Sequence, residues 1–282
     1  MKYYLFNRHD MPPVIEGIVN NTCAYLVKYP NIESFVFGLS GGADSALVCA
    51  LAVNVRTRMK NSFNRDIKII ARSLPILTNK QDEIDRAAAV GNAFDIDFDT
   101  FDLSVMYKRV TDCLNEMFDG TNAVRLGNIK ARLRMIYLYN LAHRNKGLVL
   151  STDNYTELLL GFWTLHGDVG DLGMIQNLWK TEVFMLLDYY ACNVYQLPGE
   201  GKISSALKAC RDAIPTDGLG VSESDYAQFG NATTYEEVDQ IFINALNSGY
   251  TNTIKKGGEV PKVLTMYENS MYKRENPYNI PR

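Results

Sequence analysis

The hexapeptide Ser-Gly-Gly-Ala-Asp-Ser at residues 40–45 constrains the fold most, because of where it lies in the chain. It directly follows an apolar run at residues 34–39 and opens a helical pattern at residues 45–58. Its two adjacent glycines allow the backbone to turn sharply and to approach a ligand closely. Free N–H groups at the helix start, with the hydroxyls of Ser40 and Ser45, can then surround phosphate oxygens. The hexapeptide therefore predicts a strand, a phosphate-binding turn and a helix in succession.

This turn lacks the Gly-Lys-Ser/Thr ending of a Walker P-loop, so no lysine within it can neutralise phosphate charge. Neutralisation has to come from basic residues elsewhere and from a metal ion, for which Asp44 is a suitable oxygen ligand. The alternative interpretation is an ordinary glycine turn capped by serine and aspartate, which is common at helix starts. The position between a strand and a helix favours the phosphate site.

Short apolar runs continue to alternate with helical patterns through the first half of the chain. Further strands are predicted at residues 67–71, 97–103 and 147–151, and further helices at residues 80–94, 105–117 and 129–145. Buried strands that alternate with helices predict an α/β fold, a doubly wound parallel sheet flanked by helices. Later helical patterns lie at residues 180–195, 204–212, 235–247 and 260–269. With no further strand among them, they predict a helical C-terminal layer.

Composition narrows the class of protein. A chain of 282 residues with 46% hydrophobic composition and no repeat or linker predicts a single domain with one large core. A formal charge of −3 gives no general field that attracts nucleic acid or an acidic membrane, so neither is an expected partner. The five cysteines are scattered and never spaced as C-x-x-C, which favours reduced thiols in the cytoplasm over disulfides or a zinc site. No apolar stretch has the length of a signal peptide or a membrane span.

Residues 40–45 resemble the S-G-G-x-D-S motif of the PP-loop ATP pyrophosphatases, which cleave ATP between its α and β phosphates. Segments farther along resemble NAD synthetases in order and spacing, from about residue 35 to the end of the chain. These segments are residues 128–134, 148–154, 157, 161–164, 167–168, 214–219, 235–239 and 272–274. The resemblance implies a Rossmann-like fold of the adenine nucleotide alpha hydrolase type.

The resemblance also implies a reaction, that of an ammonia-dependent NAD synthetase. In that family ATP adenylates the nicotinate carboxylate of deamido-NAD, pyrophosphate leaves, and ammonia displaces AMP to give NAD. The segment before residue 35 is short and has no catalytic cysteine arrangement, so we expect no glutaminase domain and expect ammonia as the nitrogen source. The family further implies Mg²⁺, ATP as co-substrate, and a homodimer whose subunits share the dinucleotide.

Site residues follow from the same matches, position by position. Asp44 and Lys180 are the catalytic candidates, and Asp44 and Glu157 are the candidate Mg²⁺ ligands. The ATP-binding candidates are Gly38, Leu39, Ser40, Gly41, Gly42, Ala43, Asp44, Ser45, Thr152, Lys180 and Thr216. The deamido-NAD-binding candidates are Arg132, Asp171, Tyr272 and Lys273. Arg134, two residues from Arg132 on a predicted helix, is expected to point to a different side.

One segment departs from the family pattern. The family usually has Thr-Lys-Tyr-Gly-Asp where this chain has Thr-Leu-His-Gly-Asp at residues 164–168, so Leu165 replaces a lysine that contacts the dinucleotide. His166 is a candidate replacement donor, although a lone histidine in a loop is more often solvated, and the following segment is about one residue short before Asp171. This departure does not involve the residues predicted to bind ATP, but it leaves the identity of the second substrate open.

Two alternatives therefore stay open at the level of sequence. One is another PP-loop enzyme, such as a GMP synthetase core or a tRNA sulfur-transfer enzyme. The absence of paired cysteines and of a basic face argues against the tRNA enzyme. The other is a non-catalytic ATP-binding regulatory protein. Asp44, Glu157 and Lys180 together speak against it, because a decayed enzyme has no need of metal and phosphate ligands.

Overall fold

A computed structural model describes residues 2–77, 79–115, 122–195, 199–216, 220, 222, 224–249, 260–276 and 280. Within these residues one parallel sheet has five strands in the order β3-β2-β1-β4-β5. The strands are β1 (Ser34–Gly38), β2 (Lys68–Ser73), β3 (Asp97–Thr100), β4 (Gly147–Ser151) and β5 (Leu172–Gly173). The predicted α/β class with a doubly wound parallel sheet is confirmed.

The central strand β1 fixes the position of the functional site. Phe35, Val36 and Phe37 are fully buried because helices cover both faces of the sheet. Val36 is in register with Ile70 of β2 on one side and with Val149 of β4 on the other. The chain order therefore reverses at β1, and the carboxyl ends of β1 and β4 border the crevice where such sheets bind ligands.

Helices cover both faces of the sheet, and further helices pack beyond one of its ends. They are α1 (Met11–Lys28), α2 (Ala43–Phe63), α3 (Gln81–Ala93), α4 (Ser104–Cys113), α5 (Ala123–Arg144), α6 (Tyr155–Leu160), α7 (Lys180–Tyr189), α8 (Gly201–Asp212), α9 (Tyr235–Asn247), α10 (Lys262–Asn269) and α11 (Met271–Arg274). Helices α1, α2, α3, α7 and α8 share the largest core, and α4 and α5 pack on the opposite face. No helix in these described ranges is long and apolar enough to cross a membrane.

The predicted helical C-terminal layer is also confirmed. Helices α6, α9 and α10 enclose a separate apolar cluster that includes Trp179, Phe229, Val238 and Phe242. This cluster lies behind the start of α7, the helix that begins at Lys180. The layer therefore supports the segment that carries a predicted catalytic residue.

Several element boundaries differ from those predicted. Helix α2 begins two residues early because Gly42 takes the extended N-cap conformation, and it runs to a left-handed Asn64 at φ 49°. Helix α5 begins at Ala123 instead of residue 129, and α7 passes into a π-helical turn at Tyr190–Val194. Helix α4, predicted at residues 105–117, ends at Cys113, and residues 116 and 117 lie outside the described residues.

Helix α1 was missed, although the sequence carries signals for it. Prolines occupy its first turn, where a missing N–H is tolerated. Met11, Ile15, Val19 and Leu26 form the buried stripe at helical spacing. Strand β5 was missed because two residues are too few to give a periodicity.

Candidate nucleotide-binding and catalytic site

A cavity of about 410 Å³ opens at the carboxyl ends of β1, β2 and β4. The turn at residues 40–45 forms one wall, and the start of α7 forms another. Thr152, Thr216 and Lys273 approach it from three other segments, and Arg134 approaches from α5. The structure therefore brings residues that lie far apart in sequence to the edge of the sheet where a ligand is expected.

The glycine turn has a backbone that other residues adopt only with strain. Gly41 has φ +82°, and a Cβ there would lie 2.2 Å from the carbonyl oxygen of Glu83 on α3. The hydroxyls of Ser40 and Ser45 are 3.0 Å apart, and Ser45 Oγ donates to the carbonyl of Gly42 at 3.2 Å. These hydroxyls, which hydrogen-bond within the turn, lie where a phosphate oxygen can replace one of the bonds.

Lys180 connects the two predicted metal ligands. Its Nζ lies 2.5 Å from Asp44 Oδ2 and 2.8 Å from Glu157 Oε1, and the residue is only 3% exposed. The two carboxylates raise the pKa of Lys180 despite its burial, so the ammonium group stays charged. Burial and the nearby charge of Asp44 raise the pKa of Glu157 to about 8. Asp44 is fixed further by Asn154, whose Nδ2 donates to Oδ1 at 2.8 Å.

A second layer of polar residues holds Lys180 in place. Thr156 Oγ1 accepts the backbone N–H of Lys180 at 2.8 Å and donates to Asp239 Oδ1 at 2.5 Å. The other oxygen of Asp239 accepts the backbone N–H of Thr181 at 2.9 Å. Sequence reasoning assigned no role to Asp239. Its signal was present, because Asp239 lies on the same helical stripe of α9 as the apolar Tyr235 and Phe242.

Two further carboxylates border the cavity beyond this cluster. Asp153 accepts a hydrogen bond from Ser151 Oγ at 2.5 Å, and Asp168 accepts one from the backbone N–H of Thr164 at 2.7 Å. Burial, together with the charge of Asp168, raises the pKa of Asp153 to about 7. Burial also raises the pKa of Asp168, to about 6. Both lie in segments that resemble the family, but no role was predicted for them.

Most predicted ATP and metal residues meet at this cavity. Those that border it are Gly38, Leu39, Ser40, Gly42, Ala43, Asp44, Ser45, Thr152, Glu157, Lys180 and Thr216, and Gly41 completes the turn. Lys273 also borders it and donates to the carbonyl oxygens of Gly161 and Trp163, at 2.7 and 2.6 Å.

Three predicted dinucleotide contacts lie elsewhere. Arg132 borders a neighbouring depression and donates to the carbonyl of Leu165 at 2.9 Å, whereas Arg134 on the adjacent side of α5 borders the cavity. The carboxylate of Asp171 accepts from Tyr139 Oη and from the backbone N–H of Val149, both at 2.9 Å. Tyr272 is 64% exposed.

Asp44 and Glu157 fit a magnesium ion. Both carboxylates lie within hydrogen-bond distance of one ammonium group, so they converge on a single cation position. Among the described residues no cluster of three or more His, Cys, Asp or Glu side chains could hold a metal. Two carboxylates completed by phosphate oxygens and water are the set that Mg²⁺ takes in nucleotide sites.

The sequence profile of the NAD synthase family matches residues 14–277, which contain every element that forms this cavity. The chain belongs to the NAD synthase family. The NH(3)-dependent NAD(+) synthetase of Thermoplasma acidophilum is 29% identical over 276 residues, 96% of this chain and 99% of its own length. The corresponding synthetase of Finegoldia magna is 32% identical over 233 residues, 82% of this chain and 84% of its own.

A solved structure gives a further comparison for this NAD synthase family member. NMN synthetase from Francisella tularensis superposes with a TM-score of 0.74 and 26% identity, over 98% of this chain and 100% of that one. Together the family match and the relatives confirm the prediction of an ammonia-dependent NAD synthetase, a ligase that forms a carbon–nitrogen bond and uses ATP. Neither a different PP-loop enzyme nor a non-catalytic ATP-binding protein is favoured.

Proposed function

We propose that this cavity adenylates the nicotinate carboxylate of deamido-NAD and lets ammonia displace AMP to give NAD. The observation that carries the proposal is the cluster of Lys180, Asp44 and Glu157, which joins the glycine turn to the start of α7 at the border of one cavity. Adenylation converts an unreactive carboxylate into an acyl adenylate, from which AMP is a good leaving group. The protein has to supply charge stabilisation and orientation, and it needs no nucleophile of its own.

Each wall of the cavity has a part in this chemistry. The N–H groups at the start of α2, with the hydroxyls of Ser40 and Ser45, donate to ATP phosphate oxygens. Asp44 and Glu157 would hold Mg²⁺, which when bound neutralises phosphate charge. Lys180 adds a positive charge that its buried position keeps in place. Thr152 and Thr216 contact ATP from two further segments.

The nicotinate end belongs on the side of Lys273, Asp153 and Asp168. Lys273 is a half-buried cation over the ring of Trp163, at 5.5 Å, and an anionic substrate in this part of the cavity would contact its ammonium group. The carboxylates of Asp153 and Asp168 lie near the same end of the cavity, where ammonia has to approach. Arg132, Asp171 and Tyr272 remain predicted contacts for the rest of the dinucleotide.

A homodimer would bring these outer residues into a shared site. Helices α4 and α5 carry exposed apolar side chains, including Val105 at 68% and Ile136 at 61% exposure. Arg132 lies on the same exposed stripe of α5, and Tyr139 of that stripe donates to Asp171. A second copy on this face would cover the apolar side chains and enclose the far half of the dinucleotide. Light scattering should then give twice the chain mass of 31.8 kDa.

The deciding assay follows NAD, AMP and pyrophosphate in one reaction that contains deamido-NAD, ATP, Mg²⁺ and ammonium chloride. Equal amounts of NAD and AMP are the expected result. ATP binding without AMP formation would contradict the proposal.

The cysteines are all free, which supports placing the reaction in the reducing cytoplasm.

A second candidate substrate is the mononucleotide half of deamido-NAD, whose amidation would give NMN. Two observations favour it: Leu165 replaces the lysine expected to contact the dinucleotide, and NMN synthetase is among the structures that this chain resembles. The test compares kcat/KM for the two nucleotides in wild type and in Leu165→Lys. A gain confined to the dinucleotide in the variant would show that Leu165 limits its use.

A further inference from the structure

Arg86 is a cation beside the glycine turn that the mechanism above does not use. It lies on α3, and its side chain is 20% exposed and borders the cavity. Its Nε donates to the carbonyl oxygen of Gly41 at 3.0 Å, and its Nη1 lies 2.7 Å from Asp82 Oδ2. In the described part of the chain, Nη2 makes no hydrogen bond. One edge of the guanidinium is therefore available to a ligand at the turn.

Close packing holds this guanidinium in place. A Cβ on Gly41 would lie 2.2 Å from the Glu83 carbonyl oxygen and 3.1 Å from the backbone nitrogen of Ala87, so the turn lies directly on α3. Thr216, a predicted ATP contact, lies 3.4 Å from a carboxylate oxygen of Glu83 through its Oγ1. The turn, Thr216 and Arg86 thus meet at the same part of the cavity.

Two other cations at the cavity, Lys180 and Arg134, have partners that are less exposed than the charged partner of Arg86. Lys180 bridges two partly buried carboxylates, and Arg134 donates to the carbonyl of Leu74 and to Asn79 Oδ1. The charged partner of Arg86 is Asp82, which is 65% exposed and lies one helical turn away. Exposed pairs of this kind contribute little to stability, so a phosphate can replace Asp82 at small cost.

We propose that Arg86 binds the β and γ phosphates of ATP and the pyrophosphate that they become. The proposal rests on the adenylation argued above. In that step a nicotinate carboxylate oxygen forms a bond to the α phosphorus, and the bond from this phosphorus to the bridging oxygen breaks. The electron pair of that bond leaves with pyrophosphate, and no proton is transferred. A guanidinium at the leaving group stabilises the charge that develops there, and its planar donors match phosphate oxygens.

The test measures binding of pyrophosphate and of AMP, each with Mg²⁺, by titration calorimetry. Arg86→Gln should weaken pyrophosphate binding by about tenfold to hundredfold, the usual range for loss of a charge-assisted hydrogen bond, and leave AMP binding within about twofold. Arg86→Lys should recover part of the loss. Asp82→Asn, which frees the guanidinium, should keep or strengthen pyrophosphate binding. Arg58→Gln removes a similar helix-surface arginine that pairs with Glu16, and it should change neither affinity.

Three results would overturn the assignment. Equal weakening of AMP and pyrophosphate in Arg86→Gln would mean that Arg86 only holds the turn through Gly41, and an unchanged pyrophosphate affinity would mean that it does not contact the phosphates. Loss of pyrophosphate binding in Asp82→Asn would likewise assign the effect to the ion pair. If the variants show the expected binding pattern but the wild type makes no NAD, the role of Arg86 is supported and the proposed substrate is contradicted. The two failures are therefore distinguishable.

Discussion

Lys180 shows how a single buried residue combines stability and chemistry. Its ammonium group lies between Asp44 and Glu157, and the ring centroid of Tyr235 is 5.2 Å from Nζ. Taking charges out of water is costly unless they are paired and hydrogen-bonded. Here the attraction between Lys180 and the two carboxylates offsets the cost of burying each charge. The same carboxylates are the proposed metal ligands. Binding of a cation between them is therefore coupled to the position of Lys180.

The first prediction at this scale concerns Asp44. Asp44→Asn preserves the shape of the side chain but removes a metal-binding charge, and its amide oxygen replaces only one of the two carboxylate oxygens that accept from Lys180 and Asn154. We expect the fold to be retained and pyrophosphate release to fall roughly a hundredfold or more, the usual loss when a group that stabilises transition-state charge is removed. Circular dichroism and a pyrophosphate assay measure the two effects. Asp66→Asn, at an exposed loop, is the control; near-normal activity in Asp44→Asn would refute the magnesium assignment.

The second prediction concerns Lys180 itself. Lys180→Met leaves two close carboxylates without their cation, which should lower the free energy of unfolding by about 3–5 kcal/mol. Because a divalent cation can take the vacated position, MgCl₂ should raise the melting temperature of the variant more than that of wild type. Thermal unfolding with and without MgCl₂ measures this without reference to activity. A melting temperature of the variant that does not change with MgCl₂ would argue against metal binding by Asp44 and Glu157.

At the scale of elements, the glycine turn and α3 act as one unit. Gly41 has a positive φ and lies against the backbone of α3, so the turn cannot carry a side chain without moving one of the two. The carboxyl end of β1 and the start of α2 fix the turn from either side. The phosphate-binding N–H groups are therefore positioned by three elements together.

The third prediction compares two glycines. Gly41→Ala should displace the turn from α3 and raise the KM for ATP by about tenfold or more, because the new Cβ meets backbone that cannot rotate away. Gly17 lies inside α1 with open space around its Cα, so Gly17→Ala should stabilise the protein by about 0.5–1 kcal/mol through helix propensity. Urea unfolding and ATP kinetics measure both effects. Unchanged ATP kinetics in Gly41→Ala would show that the turn does not hold the phosphates.

At the scale of the whole molecule, Glu182 ties the N-terminal segment to the site. One carboxylate oxygen accepts the backbone N–H of Phe6, and the other accepts that of Trp179, both at 3.0 Å. Tyr3 and Asn247 exchange two further hydrogen bonds that attach the same segment to α9. The start of the chain thus braces the helices behind Lys180.

The fourth prediction follows from burial, which raises the pKa of Glu182 to about 7. The folded protein binds this proton more tightly than the unfolded chain, whose glutamate has a pKa near 4.5. The stabilisation is therefore complete below pH 4.5 and disappears as the pH rises through 7. Relative to Glu182→Gln, wild type should lose about 1–3 kcal/mol of unfolding free energy between pH 5 and pH 8, at 1.36 kcal/mol per pKa unit. A constant difference in urea unfolding across this range would contradict the shift.

The sequence by itself determined the strand, turn and helix around residues 40–45 and the alternation that builds a parallel sheet, and its resemblance to NAD synthetases identified Asp44, Glu157 and Lys180 as site candidates. The turn, the strands and the helices depend on local patterns, because a glycine turn, a buried strand and a capped helix are each specified within about ten residues. The helix at Tyr235–Asn247 was predicted with its observed bounds for the same reason.

Only the tertiary structure decided which side chains share the cavity. Arg134 and Arg86 border it while Arg132 and Asp171 lie outside, and no spacing in the sequence distinguishes these pairs. Glu182 has the sequence pattern of an ordinary acidic position on a helix surface, and packing buries it against Phe6. Asp239 lies on an apolar stripe, but only packing identifies Thr156 as its partner. Burial, pKa and available hydrogen-bonding groups depend on contacts between distant segments. Local propensity contains no information about those contacts.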